Sequence, residues 1–325
     1  MIYSSIWESQ VENLSKTVPY GIPFLDDATN GILPGQLIVL GAATGVGKTD
    51  ALSLIARAAA VKAKVCFLAL EAHENEIQER ILYRAMADIY FKLPSEKKRE
   101  MGVGTLSYVD FHSGKLNKAL GEFWDEAMHN AMMITDNIDF VYPSQLSAEG
   151  AAIEIERRVD DGTRLFILDH LHHLEIDEQD EVKALKRNMK LLNLITNSRE
   201  CSLLTASHLR KGDRMRPEFP DLNDLHGSSE ISKRAHVVII LGPVPRNQHE
   251  GMFAGQITTL FHVAKFRLEG SRRFYYAMHG FDPRSRAYSK RYALAKADMD
   301  ERGRQIFKVI SERDKPQWAV HGEGE

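Results

Sequence analysis

The segment GAATGVGKT at 41–49 constrains this chain more than any other feature. It approximates the phosphate-loop pattern G-x-x-x-x-G-K-[ST]. Gly47, Lys48 and Thr49 fit the pattern; Ala42 occupies its first position, with Gly41 one residue earlier. Glycines let the backbone curl so that successive N–H groups point inward at an anion. A helix starting near Lys48 would aim its positive end at the same place. The expected cradle is Ala43, Thr44, Gly45, Val46, Gly47, Lys48, Thr49 and Asp50. Lys48 would reach the β- and γ-phosphates of ATP, and Thr49 would hold Mg²⁺.

A GKT in an arbitrary loop means little, so its setting decides. GQLIVLG (35–41) is a short apolar run bounded by glycines, which reads as a buried strand, and the Ala- and Leu-rich DALSLIARAAAVKAK that follows the loop reads as a helix. VCFLALE (65–71) is a second buried strand, followed by a charged helix from about 75 to 90. Further on come a strand at 132–135 or 138–142, a helix near 146–160, strands RLFILDH (164–170), CSLLTASH (201–208) and HVVIILG (236–242), and a helix over 181–200. This alternation predicts an α/β fold with a mainly parallel sheet flanked by helices. QITTLFHVAKF and RRFYYAMHGF alternate like an antiparallel hairpin after it. We expect an N-terminal arm over 1–18, the main domain over 19–288 with a helical insertion at 92–131, and a charged C-terminal helix and tail over 289–325, the helix itself at 292–313. Apolar Ile6, Trp7, Val11 and Leu14 give the arm one helical face, to pack on its own domain or on a neighbouring subunit.

A nucleoside triphosphatase needs a metal-side carboxylate and a group that activates water. Asp169 closes the apolar run LFILD and can serve Mg²⁺; Glu71 ends FLALE at the strand end where open α/β sheets bind ligands.

Composition excludes several classes. The chain has 325 residues, 43% hydrophobic and 27% charged, too apolar for wholesale disorder. No run approaches the roughly 18 apolar residues of a membrane span. The start MIYSSIWESQ lacks a signal peptide's basic-then-apolar order, and two cysteines make no disulfide framework, so a cytoplasmic protein is expected. The net charge of −3 is unlike a strongly basic nucleic-acid binder, but it hides segregation. SHLRKGDRMRP (207–217) carries Arg210, Lys211, Arg214 and Arg216 against Asp213, whereas LEIDEQDEV (174–182) carries five acids and no base.

The order GAATGVGKT, ALE, ILDH, TASHLRK, DLHGSSEI, KFRLEG resembles the hexameric replicative helicases of the DnaB type. It is most like the ring helicase domains of phage helicase-primases and of Twinkle, over about residues 18–285. The resemblance implies a RecA-like P-loop core assembled as a homohexamer, with ATP and Mg²⁺ between subunits. It implies that Lys48 and Thr49 bind nucleotide and metal, that Glu71 is the catalytic carboxylate, that Asp169 serves the metal and that His208 senses the γ-phosphate. Lys265 and Arg267 would reach the neighbour's γ-phosphate, as an Arg fork suits phosphate oxygens. Arg246 would lie near the base. The basic loop, with Gly227 and Ser228, would grip single-stranded DNA without sequence preference. Primase, polymerase and single-strand-binding protein are the implied partners. Two other classes fit some of the motifs: a recombination or regulatory ATPase of the RecA, RadA or KaiC kind, and a nucleotide-gated ring scaffold or loader that does not unwind.

Overall fold

A computed structural model describes residues 2–103, 105–175, 181–209, 219–244 and 257–323. Its helices are α1 (Ile2–Lys16), α2 (Pro23–Thr29), α3 (Lys48–Ala60), α4 (Glu76–Lys92), α5 (Ser95–Glu100), α6 (Tyr108–His112), α7 (Asn117–Leu120), α8 (Trp124–Thr135), α9 (Ala148–Asp160), α10 (Glu181–Arg199) and α11 (Ser228–Arg234). Its strands are β1 (Leu37–Ala42), β2 (Lys64–Ala69), β3 (Ile138–Val141), β4 (Thr163–Asp169), β5 (Ser202–His208), β6 (Val237–Pro243), β7 (Ile257–Phe266), β8 (Tyr276–Asp282), β9 (Ala287–Tyr288), β10 (Tyr292–Met299), β11 (Gln305–Val309) and β12 (Gly322–Glu323).

Among the described residues, all twelve strands share one sheet, ordered β11-β10-β8-β7-β6-β1-β5-β4-β2-β3, with β12 on β10 and β9 on β8. From β6 to β3 every pairing is parallel; from β6 to β11 every pairing along the order is antiparallel. β1 is central because it is apolar on both faces. Ile38, Leu40 and Ala42 pack into the core under α3 and α4, while Leu37 and Val39 pack into the core under α9, α10 and α11. A third cluster around Phe219, Leu260, Met278 and Phe307 fills the antiparallel side. Among the described residues no helix is long and apolar enough to cross a membrane.

The sequence reading places most elements within a few residues. Of the two strand positions offered for the middle of the chain, 138–142 holds β3, and 132–135 closes α8. The insertion is helical, carrying α5, α6, α7 and most of α8. One expectation fails: residues 292–313 do not form a C-terminal helix. They form β10 and β11, which join the same sheet as the hairpin. Ala, Leu and Lys favour a helix locally, but β8 leaves an unpaired edge that β10 satisfies. Pairing there buries Ala293 and Ala295 against Phe307 and Met278, and Tyr292 edge-on against Phe24.

Among the described residues nothing covers the apolar face of α1. Ile6, Trp7, Val11 and Leu14 are 46–75% exposed.

Candidate nucleotide and catalytic site

The parallel strands all end at one edge of the sheet, and the chemistry collects there. β1 gives way to an exposed turn at Ala43, Thr44 and Gly45, and α3 starts at Lys48. Gly47 caps α3 with φ of 96°, a left-handed conformation that glycine adopts without strain. The turn and the first N–H groups of α3 form a concavity of the geometry an anion needs.

Thr49 Oγ1 donates to Asp169 Oδ2 at 2.9 Å, across from the end of β4. Asp169 is buried, and its other oxygen, Oδ1, has no hydrogen-bond partner. Burial raises its pKa. An all-oxygen pair with an orphaned carboxylate oxygen suits a hard divalent cation such as Mg²⁺.

Lys48 is buried, and its ammonium donates to Ala42 O at 3.5 Å. Its nearest side-chain partner is His208 Nδ1, at 3.0 Å. Burial lowers the Lys48 pKa, against the opposing pull of Glu71 and Asp169. Burial, and then Lys48, lowers that of His208. His208 is thus wired directly to Lys48, the first residue of α3. β5 runs beside β1 with His208 opposite Ala42, which sets this contact.

Glu71 lies two residues past the end of β2, in the turn before α4 rather than at the last strand position. Its side chain is half exposed, and its Oε2 lies 3.4 Å from His170 Nε2. His170 Nε2 in turn lies 2.8 Å from His208 Nε2. His170 was not singled out from the sequence. Burial pushes its pKa down to about 3, so it meets Glu71 as a neutral ring. The run HLHH after Asp169 was a visible signal, since it places three imidazoles within four residues of that carboxylate.

Other expected residues are placed elsewhere. The Asp50 carboxylate accepts from Arg80 Nη1 at 3.1 Å and from the Arg286 guanidinium, with Nε at 2.9 Å. It braces α3 against α4 and the turn after β8 instead of facing the cradle. Gly227 has φ of 73°, and a Cβ there would lie 1.8 Å from Leu185 Cδ2, so packing on α10 already requires glycine. Ser228 opens α11. Arg246, Arg210, Lys211, Arg214 and Arg216 lie outside the described residues.

Lys265 and Arg267 lie at the opposite edge of the sheet. Arg267 N–H donates to His236 O, and His236 N–H donates to Leu37 O, at the start of β1. The phosphate loop leaves β1 five residues later, roughly 16 Å away along a strand. The Lys265 ammonium donates to Ser232 O at 2.6 Å and to Ala235 O; Arg267 donates to Lys233 O at 3.3 Å and Arg234 O at 3.4 Å. Both cations therefore cap the C-terminal carbonyls of α11, where a helix favours positive charge. Neither can touch the phosphates of its own chain.

A central parallel sheet, a glycine-bounded loop feeding a helix, and a Thr–Asp pair across from it define a RecA-like phosphate-loop domain. Residues 17–267 match the family described as DnaB-like helicase C terminal domain, and the chain belongs to that family. It is similar to the replicative DNA helicase DnaB of Leifsonia xyli subsp. xyli, 27% identical over 258 residues, 77% of this chain and 51% of that protein. It is also similar to DnaB of Geobacillus stearothermophilus, 25% identical over 233 residues, 69% and 46% of the two chains. The chain spans about half the length of the curated relatives it matches. In fold it resembles a solved ATPase domain, with a TM-score of 0.66 at 15% identity over 88% of this chain and 96% of that one. A DnaB-like replicative helicase studied with its primase interactions gives 0.66 at 16% identity, over 83% and 61%.

Proposed function

We propose that this chain is the motor of an ATP-dependent replicative DNA helicase, a ring that translocates on single-stranded DNA. The observation that carries the reading is the 3.0 Å contact between Lys48 and His208. It joins the phosphate cradle to β5, whose sequence continues into the basic segment 210–217, outside the described residues.

The backbone of 43–47 and Lys48 would hold the triphosphate. Thr49 and Asp169 would hold Mg²⁺, which supplies charge neutralisation at the β- and γ-phosphates. Glu71 faces the same space from a half-exposed turn and orients or deprotonates the attacking water. Binding draws Lys48 off His208 and onto phosphate, and release of phosphate returns it. His208 thus has two partners in turn, and its neighbours at 210–217 feel the exchange. Lys265 and Arg267 act on the next subunit's phosphate, since their own is out of reach. A trans contact of this kind makes a head-to-tail ring, which we take to be a homohexamer. The exposed apolar face of α1 docks on the neighbouring subunit. Primase is the first partner to test, and polymerase and single-strand-binding protein follow.

The test is phosphate release with and without single-stranded DNA. Stimulation by DNA that weakens as salt rises, and that replacement of Arg210 and Lys211 by Ala diminishes, is expected. Turnover indifferent to DNA at every salt concentration would refute the reading.

A further inference from the structure

Three metal-binding side chains from three elements converge beside the phosphate loop: Glu71 after β2, His170 after β4 and His208 at the end of β5. One ligand atom of each lies within 4.8 Å of the other two. His170 Nε2 is 2.8 Å from His208 Nε2 and 3.4 Å from Glu71 Oε2. A tetrahedral ion with bonds of about 2.0–2.1 Å spaces its ligand atoms roughly 3.3 Å apart. Small side-chain adjustments would therefore close the three around one ion. Glu71 is half exposed, which leaves a fourth position open to water.

We infer that Glu71, His170 and His208 form a binding site for a borderline transition cation, Zn²⁺ above all. The ligand set decides the class. Two imidazoles and a carboxylate suit Zn²⁺, whereas Mg²⁺ keeps to oxygen and to the Thr49–Asp169 pair. Binding has a structural consequence. Both rings must carry their protons on Nδ1 to free Nε2 for the ion. His208 Nδ1 then cannot accept from Lys48, and the 3.2 Å contact from His172 N–H to His170 Nδ1 opens. The ion therefore frees Lys48 for phosphate while occupying the Glu71 carboxylate. A zinc-loaded chain retains ATP but does not turn it over. That last consequence rests on the reading of Glu71 as the water-activating group; the binding itself does not.

The full chain is titrated with Co²⁺, a spectroscopic stand-in for Zn²⁺, in excess Mg²⁺. One equivalent should develop the intense visible bands of four-coordinate Co²⁺ and lose them to Zn²⁺. His170→Asn should weaken binding at least tenfold with an unchanged thermal midpoint. If that variant fails to fold, Glu71→Gln, at a half-exposed turn, carries the same expectation. The chain has 13 histidines, so the substitutions separate this site from the rest. A pale six-coordinate spectrum, or an intense one indifferent to both substitutions, would overturn the site. A second arm adds Zn²⁺ at saturating ATP: turnover should fall, recover with chelator, and leave nucleotide binding intact. Tight Co²⁺ binding with full turnover under Zn²⁺ would keep the site and remove Glu71 from catalysis.

Discussion

Replacing Arg267 by Ala should stop ATP turnover without touching the chain's own nucleotide pocket. Arg267 sits level with Leu37, at the start of β1, while the phosphate loop leaves after Ala42. The gap of roughly 16 Å exceeds any arginine's reach. A loss of turnover can therefore come only through a neighbouring subunit. Arginines that stabilise transferring phosphate from another chain are worth about 10³–10⁵ in rate. The fold should survive, because Arg267 is exposed and its two bonds to α11 are long, at 3.3 and 3.4 Å. The assay is phosphate release from mixtures of Arg267→Ala with Glu71→Gln subunits. Each variant alone is inactive. In an equal random mixture about a quarter of the interfaces join an intact Glu71 to an intact Arg267, so turnover should return to about a quarter of the wild-type rate in a head-to-tail ring. No recovery at any ratio, or an Arg267→Ala chain that turns over normally, would refute the trans assignment.

Three other outcomes are expected. Lys48→Ala should abolish phosphate release while leaving the thermal midpoint near that of the parent, and retained turnover would remove the phosphate-loop assignment. Gly227→Ala should destabilise the chain by about 1–3 kcal/mol in urea unfolding, from both its φ of 73° and the 1.8 Å approach to Leu185 Cδ2; an unchanged midpoint would contradict this packing. Acid should destabilise the fold through the buried His262 and His279 and the half-buried His236. Burial lowers His236 and His262 to about 4 and His279 to about 3, below the ordinary value of 6.5. Their stabilising effect is complete above pH 6.5 and is lost as pH falls toward 4, because only the unfolded chain takes up the protons. At pH 5.5 each contributes a loss on the order of 1 kcal/mol. Unfolding midpoints across pH 7 to 5, for the parent and for His279→Phe, check the slope, and identical slopes would argue against the assignment.

The sequence displayed what is local and left hidden what depends on distant partners. The loop after β1, Asp169 and His208 were legible as a group because each follows or closes an apolar strand, and parallel strands bring their ends to one edge. The C-terminal strands were not legible. The run ALAKA at 293–297 and the charged residues after it favour a helix until the edge of β8 is there to be paired. Asp50 reads as part of the cradle because it follows Thr49. Its partners, Arg80 and Arg286, lie 30 and 236 residues away and turn it aside. Lys265 and Arg267 were legible as a motif, but the α11 carbonyls that hold them were not. His170 stands in plain view after the aspartate, but only the fold brings it to Glu71 and His208.

The central claim is that ATP hydrolysis here separates strands, and forked duplex DNA tests it most directly. The full chain, with ATP and Mg²⁺, should release a labelled strand from a fork bearing a single-stranded tail. Glu71→Gln should bind the same fork and release nothing. Hydrolysis stimulated by single-stranded DNA with no strand released from any fork, whatever its tail, would contradict the account.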